Sequence, residues 1–238
     1  TLMARREFSI IEQKWILWQL RENGVKKFKI SKKKFIYLIS PNQIENKFFN
    51  DLIEILKSKK VSFFQLRLKN TPFKKKLLIG KKVKKICKKY NTKFLINDDV
   101  HLAKELNSDG CHLGQKDMHI IKAKKYLKNK IIGITCHNSI KLAKAAIENK
   151  ADYLALGAFN RSKTKKTKHK ANINLLKRIK KITKTPIVAI GGINSHNYQK
   201  LLLNKANFLA ISGYIWKNKK LKPTEAIKYL KWKLTLVK

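Results

Sequence analysis

Residues 93–117, KFLINDDVHLAKELNSDGCHLGQKD, decide the fold. A short apolar run ends in Asn97-Asp98-Asp99 and is followed by an amphipathic helical stretch. A second run, Gly110 to Leu113, ends in Gly114-Gln115-Lys116-Asp117. Two strands joined by one helix form a βαβ unit, whose strands are parallel, so both tips lie at the same edge of the sheet. Asp98 and Asp117, far apart in sequence, then face one site. Carboxylates beside amides, with no His/Cys ligand set, suit a hard cation such as Mg²⁺ better than zinc. A single tip of this kind reads as a helix cap, the ordinary role of Asn97 or Asp98 ahead of a helix. Two in succession point to a site.

The same alternation extends in both directions. Strand-like runs occupy 35–39, 61–67, 93–97, 110–113, 131–135, 153–157, 186–190 and 208–212. Helix-like segments lie at about 43–58, 73–90, 99–107, 118–128, 139–149, 172–184, 195–204 and 223–235. The strands are short, apolar and nearly uncharged, as expected where helices cover a parallel sheet. Strict alternation means an α/β protein, and eight units favour a closed (β/α)8 TIM barrel over an open sheet. Before it, residues 7–23 place Phe8, Ile11, Trp15 and Trp18 at helical spacing, and a Lys-rich connector spans 26–34. The expected organisation is an N-terminal helical extension over 1–34 and a barrel domain over 35–238.

Lys and Arg outnumber Asp and Glu by 57 to 14, a formal charge of +43, yet arginine occurs only at 5, 6, 21, 67, 161 and 178. The lysines are spread over every helical segment, with no single basic run and no interleaved surface aromatics. This pattern reads as solvated helix faces, and no nucleic-acid partner is expected. Cys87, Cys111 and Cys136 form no CxxC pair and sit in apolar contexts, as buried free thiols of a reducing compartment do. No run approaches a membrane span, and the apolar stretch after Arg6 is broken by Glu12, Gln13 and Lys14. A cytoplasmic protein without membrane association is expected.

Alternation along Gln65-Leu66-Arg67-Leu68-Lys69 puts Gln65, Arg67 and Lys69 on one side and the leucines on the other. Cations near a barrel mouth need an anion, so this strand end reads as a phosphate site. The long loop after the sixth strand brings Ser162, Thr164 and Lys165 together, groups suited to phosphate oxygens. The seventh and eighth strands end in Gly191-Gly192 and Ser212-Gly213, where barrels commonly hold phosphate. His137 is a candidate acid or base, and His112, inside a strand, is expected to be held by a hydrogen bond.

Taken together, QLRLK (65–69), INDD (96–99), DGCHLGQKD (109–117), GITCH (133–137), SKTK (162–165), AIGGI (189–193) and AIS (210–212) resemble thiamine phosphate synthase, in family order from about residue 35 to 230. The resemblance implies a Mg²⁺-dependent barrel transferase of thiamine biosynthesis. Such an enzyme joins 4-amino-2-methyl-5-hydroxymethylpyrimidine diphosphate to thiazole phosphate, releasing pyrophosphate. It implies Asp98 and Asp117 as metal ligands. Gln65, Leu66, Arg67, Leu68, Lys69, Asn97, Thr135 and Lys165 would bind the pyrimidine diphosphate, with Arg67, Lys69 and Lys165 stabilising the leaving group. Ser162, Lys163, Thr164, Gly192, Ile211 and Ser212 would bind the thiazole phosphate. Leu68 stands where the family has an acidic residue, Thr135 where it has Ser, Ser162 where it has Thr, and Ala158 where it has Pro. A related thiazole tautomerase shares the barrel and a histidine near position 137, but would not need the full set of Asp98, Asp117, Arg67, Lys69 and the loop. The lesser alternative is a non-catalytic basic barrel that binds nucleic acid, supported only by the +43 charge and the basic N-terminal segment. The expected partners are the small phosphorylated substrates, with self-association into a homo-oligomer left open.

Overall fold

The structure, a computed structural model, describes residues 35–161 and 169–235. Its elements in chain order are β1 (Ile36–Ile39), α1 (Asn46–Lys57), β2 (Val61–Leu66), α2 (Phe73–Lys89), β3 (Lys93–Asn97), α3 (Val100–Glu105), β4 (Gly110–Leu113), α4 (Ile120–Tyr126), β5 (Ile131–His137), α5 (Ile140–Glu148), β6 (Tyr153–Gly157), α6 (Ile173–Ile182), β7 (Ile187–Ile190), α7 (Tyr198–Leu203), β8 (Phe208–Ile211), α8 (Gly213–Trp216) and α9 (Pro223–Thr235). Each strand pairs in parallel with the next, and β8 closes on β1, so the sheet is a (β/α)8 barrel. The helix expected over 7–23 and its connector lie outside the described residues, as does the loop segment 162–168.

Strand alternation sorts the core into two layers. Ile36 and Leu38 of β1, Phe94 and Ile96 of β3, and Leu209 and Ile211 of β8 pack outward with helix residues such as Leu52, Val83 and Leu176. Their neighbours Tyr37, Leu95 and Ala210 turn inward and join Tyr153, Ala155 and Val188 in a second cluster built from strands alone. Phe63 and Phe208, edge to face with ring centres 5.0 Å apart, lie in the same inner layer. Helix faces follow the same division. On α2, Gly80, Val83 and Cys87 are buried while Lys74, Lys75, Lys81, Lys82, Lys85, Lys88 and Lys89 are exposed, which accounts for that helix's basic composition as solvated surface.

Most elements end within one to three residues of their expected bounds, and two differences have a structural cause. β5 runs on to His137, because a register shift near Thr135 lets His137 pair with Leu156 of β6. The single turn α8 follows β8 directly, a segment too short for helical periodicity to reveal.

The inner layer needs glycine opposite its large rings. A Cβ on Gly133 of β5 would lie 1.8 Å from the Tyr153 Cζ, and that ring is fully enclosed. Gly133→Ala should therefore destabilise the barrel by about 3 kcal/mol or more through overpacking, read as a lowered urea midpoint; an unchanged midpoint would mean the inner layer is looser than described.

Candidate active site

The acidic tips of β3 and β4 meet as their parallel arrangement requires. Asp98 takes a left-handed conformation (φ 65°), which Asp tolerates better than most residues, and its N–H donates to the His112 carbonyl at 2.7 Å. The helix cap falls to Asp99, whose Oδ1 accepts from the Leu102 N–H at 2.9 Å. Capping is thus done by the neighbour, and the Asp98 carboxyl is left for the rim. There it faces the Asp117 side chain, whose Oδ2 accepts from the Gly114 N–H at 2.6 Å.

Two carboxyls in contact titrate apart. Burial acts to raise Asp98, but the bonds from Lys69 and Asp117, with the charges of Lys69 and His112, outweigh it and hold Asp98 below the usual carboxylate range. Burial and the bond to Asp98 push Asp117 up, against the pull of the Gly114 N–H. The pair is therefore asymmetric, with Asp98 held toward the ionised form and Asp117 toward the protonated one. Among the described residues no group of three or more His, Cys, Asp or Glu could hold a metal. Two hard carboxylates fit a small divalent cation that fills its remaining positions with water and ligand oxygens.

Beside the pair stand the cations of β2. Lys69 Nζ lies 2.5 Å from Asp98 Oδ2. Arg67 Nη1 donates to Asn42 Oδ1 at 2.7 Å, and among the described residues Arg67 makes no ion pair, so its charge stays available to an anion. Its main chain is fixed by Ser40, whose Oγ accepts from the Arg67 N–H at 2.9 Å. The side chains of Leu66 and Leu68 are buried in the outer layer, so these residues can offer a ligand only main-chain groups. Asn97 belongs to the inward-facing positions of β3.

Sequence reasoning missed a chain of polar groups crossing the barrel interior. Gln65 Nε2 donates to Tyr37 Oη at 3.1 Å, and Tyr37 Oη bonds Tyr153 Oη at 2.8 Å. Tyr153 Oη bonds His112 Nδ1 at 2.9 Å, and His112 Nε2 bonds Thr135 Oγ1 at 2.8 Å. Gln65 and Thr135, singled out separately in the sequence, are the two ends of one network. Burial pushes both phenols up, so they remain protonated and polar. The available signal was a hydroxyl inside each of two otherwise apolar strand runs, FIYLI and YLALG.

On the far rim, Gly191 and Gly192 have φ of 98° and 57°, and a Cβ on Gly192 would lie 2.2 Å from the Arg161 carbonyl. Left-handed backbone and close approach both demand glycine there. Phe159 and Asn160 N–H groups bond the carbonyls of Ile190 and Gly191, which roots the loop after β6 against that turn. Ser162, Lys163, Thr164 and Lys165 lie outside the described residues, but the loop returns at His169, whose carbonyl accepts from the Ala158 N–H at 3.0 Å. His137 stacks on His169 with ring centres 4.2 Å apart. Ser212 Oγ donates to the Ser40 carbonyl at 3.3 Å, and Trp216 of α8 donates to the Ile39 carbonyl at 2.7 Å, tying the β8 end to β1. The Ile211 side chain is packed in the outer layer, so its contribution at the rim is main chain alone. All three cysteines are buried and unpaired; burial pushes Cys136 to about 12, which keeps it an inert thiol.

A closed parallel barrel that gathers acidic and basic side chains from successive strands at its C-terminal rim is a (β/α)8-barrel enzyme. The family model of thiamine monophosphate synthase matches residues 36–215. The thiamine-phosphate synthase of Pelagibacter ubique (strain HTCC1062) is 68% identical over 200 residues, covering 84% of this chain and 97% of that protein. That of Erythrobacter litoralis (strain HTCC2594) is 37% identical over 186 residues, 76% of this chain and 87% of the relative. Among solved structures, thiamine phosphate pyrophosphorylase from Pyrococcus furiosus superposes with a TM-score of 0.76 at 27% identity, over 87% of this chain and 98% of that one. The chain belongs to the thiamine monophosphate synthase family.

The split titration of the acidic pair has a consequence for stability without metal. Asp98, held low in the fold, contributes stability above its unfolded pKa that is lost as pH falls through its folded value. Asp117, held high, favours the fold when protonated, and that contribution is lost as pH rises through its folded value. At neutral pH in chelator, Asp117→Asn keeps an acceptor for Gly114 and gains a permanent donor to Asp98. Its melting temperature should rise by roughly 2 °C, a shift of about 0.5–1 kcal/mol after allowing for partial exposure. Asp98→Asn should lower it by a similar amount. The opposite order in thermal melts would refute the split titration.

Proposed function

We propose that the chain catalyses the transfer of the 4-amino-2-methylpyrimidin-5-ylmethyl group from its diphosphate to thiazole phosphate, giving thiamine phosphate and pyrophosphate. Membership of the family supports the reaction. The observation on which the site assignment rests is the meeting of Asp98, Asp117 and Lys69 beside the unpaired charge of Arg67 at one edge of the barrel mouth.

In this reading Asp98 and Asp117 hold Mg²⁺, which when bound neutralises charge on the diphosphate. Arg67 and Lys69, with Lys165 from the loop after β6, bind the diphosphate oxygens and stabilise the charge that develops there. The bond between methylene carbon and diphosphate oxygen breaks with its electron pair leaving on pyrophosphate. The amino-pyrimidine ring stabilises the positive methylene, and the thiazole nitrogen supplies the pair for the new C–N bond. That nitrogen carries no proton, so no general base is required. The protein's work is positioning and charge stabilisation.

Gln65 and Thr135, at the ends of the internal network, fix the pyrimidine ring, with Asn97 beside them. The network matters because a side chain already held by a buried partner loses little freedom when it meets a ligand. Main-chain groups of Leu66 and Leu68 complete this half of the site. The other half, Gly192, Ser212 and the main chain of Ile211 with Ser162, Lys163 and Thr164, receives the thiazole phosphate. The tautomerase alternative would leave the acidic pair and Arg67 without a task.

Purified protein given both substrates and Mg²⁺ should release pyrophosphate and form thiamine phosphate in equal amounts, with no release when any one is omitted. Asp98→Asn and Asp117→Asn should each lower turnover by at least about a hundredfold, as loss of charge stabilisation at a reacting centre does, while the circular dichroism of the fold is retained. Full turnover by either variant would remove the metal assignment.

A further inference from the structure

A cavity of about 400 Å³ opens at the rim between the turns after β2, β3 and β4, and Lys69, Asn70, Lys76, Asn97, Asp98 and His101 line its polar side. Three of these belong to the diphosphate and metal set proposed above. Asn70, Lys76 and His101 do not. Lys76 comes from the first turn of α2, and its side chain is only 23% exposed. It lines both a small void shared with Leu66, Leu68 and Leu102 and the larger cavity. Among the described residues its side chain bonds only Asp99 Oδ2, at 3.4 Å, well beyond the 2.7–2.9 Å of a strong ammonium–carboxylate bond. Asp99 is meanwhile committed through its other oxygen to the cap of α3. Lys76 is thus a largely buried cation on a loose partner, beside a space that adjoins Asp98.

We propose that this cavity receives the inorganic pyrophosphate once it has been cleaved, and that Lys76 is the anion ligand that distinguishes the released product from the substrate's diphosphate. The inference rests on the reaction proposed above. After the bond breaks, pyrophosphate carries an additional ionised oxygen and is no longer tethered to the pyrimidine. The cavity gives it room to shift outward past Asp98, and Lys76 can exchange its long bond to Asp99 for a short one to that oxygen. Asp99 also lines the cavity, and the Leu102 N–H on its Oδ1 still offsets its charge when Lys76 turns to the anion. Asn70 supplies a further amide on the same wall. His101 is tied to Tyr126 Oη at 3.2 Å and forms the outer boundary.

The test is product inhibition by Mg²⁺ and inorganic pyrophosphate in the full chain. Lys76→Met keeps the stem and removes the charge. It should raise the inhibition constant of pyrophosphate about tenfold, the loss of one charge-assisted hydrogen bond, while the KM for the pyrimidine diphosphate stays within twofold; Lys76→Arg should restore inhibition. An unchanged inhibition constant would overturn the proposal. So would a parallel rise in KM, which would place Lys76 on the bound substrate. Wild-type protein provides a second readout: pyrophosphate with Mg²⁺ should slow acetylation of Lys76, followed by mass spectrometry, several-fold, and the pyrimidine diphosphate should not. Equal labelling overturns the cavity assignment even if the variant does not fold. Absence of thiamine phosphate formation by the wild type, with protection of Lys76 intact, would instead refute the proposed reaction and leave the anion site standing.

Discussion

Closure of β8 onto β1 is the constraint on which the rest of the molecule depends. A parallel ladder has no tight hairpins, so every strand must return through a helix, and all eight C-terminal ends arrive at one rim. Closure also gives each strand two buried faces. The outer face packs on helices and accepts only apolar side chains. The inner face is a narrow tube, where Tyr37 and Tyr153 fit because Gly133 yields its space. The hydroxyls brought in by those rings have no water to bond, and they find each other, Gln65 and His112 instead.

The site inherits its character from this arrangement. Asp98 and Asp117 repel one another when both are ionised, and their opposite pKa shifts, with Lys69 set beside Asp98, ease that repulsion. In the proposed function a divalent cation would take the carboxylates and a phosphorylated ligand would take Lys69 and Arg67, each relieving an unfavourable charge arrangement. The internal network runs beneath this edge from Gln65 on β2, through Tyr37, Tyr153 and His112, to Thr135 on β5, the strand paired with β4.

Much of this was legible from residue order. The run KFLIN followed by GCHL, each with an acidic tip, required parallel strands and so brought Asp98 and Asp117 to one edge. Alternation in QLRLK likewise separated Arg67 and Lys69 from the leucines. The limits were equally physical. Which of three adjacent polar residues capped α3 could not be read from composition, because Asn97, Asp98 and Asp99 are all competent caps; the left-handed backbone at Asp98 settled it in favour of Asp99. The short helix α8 was hidden by its length, and Lys76 was one lysine among many.

The sequence by itself determined the alternation of elements, the parallel sheet and the identity of the rim residues, because those follow from side-chain periodicity and chain direction, both local properties. Tertiary structure alone decided which groups touch: the pairing of Lys69 with Asp98, the hydroxyl chain from Gln65 to Thr135, and the pairing of Lys76 with Asp99. Each of these contacts joins residues from different strands or helices. Their distances are set by closure and packing of the whole barrel, and no short window of sequence encodes that.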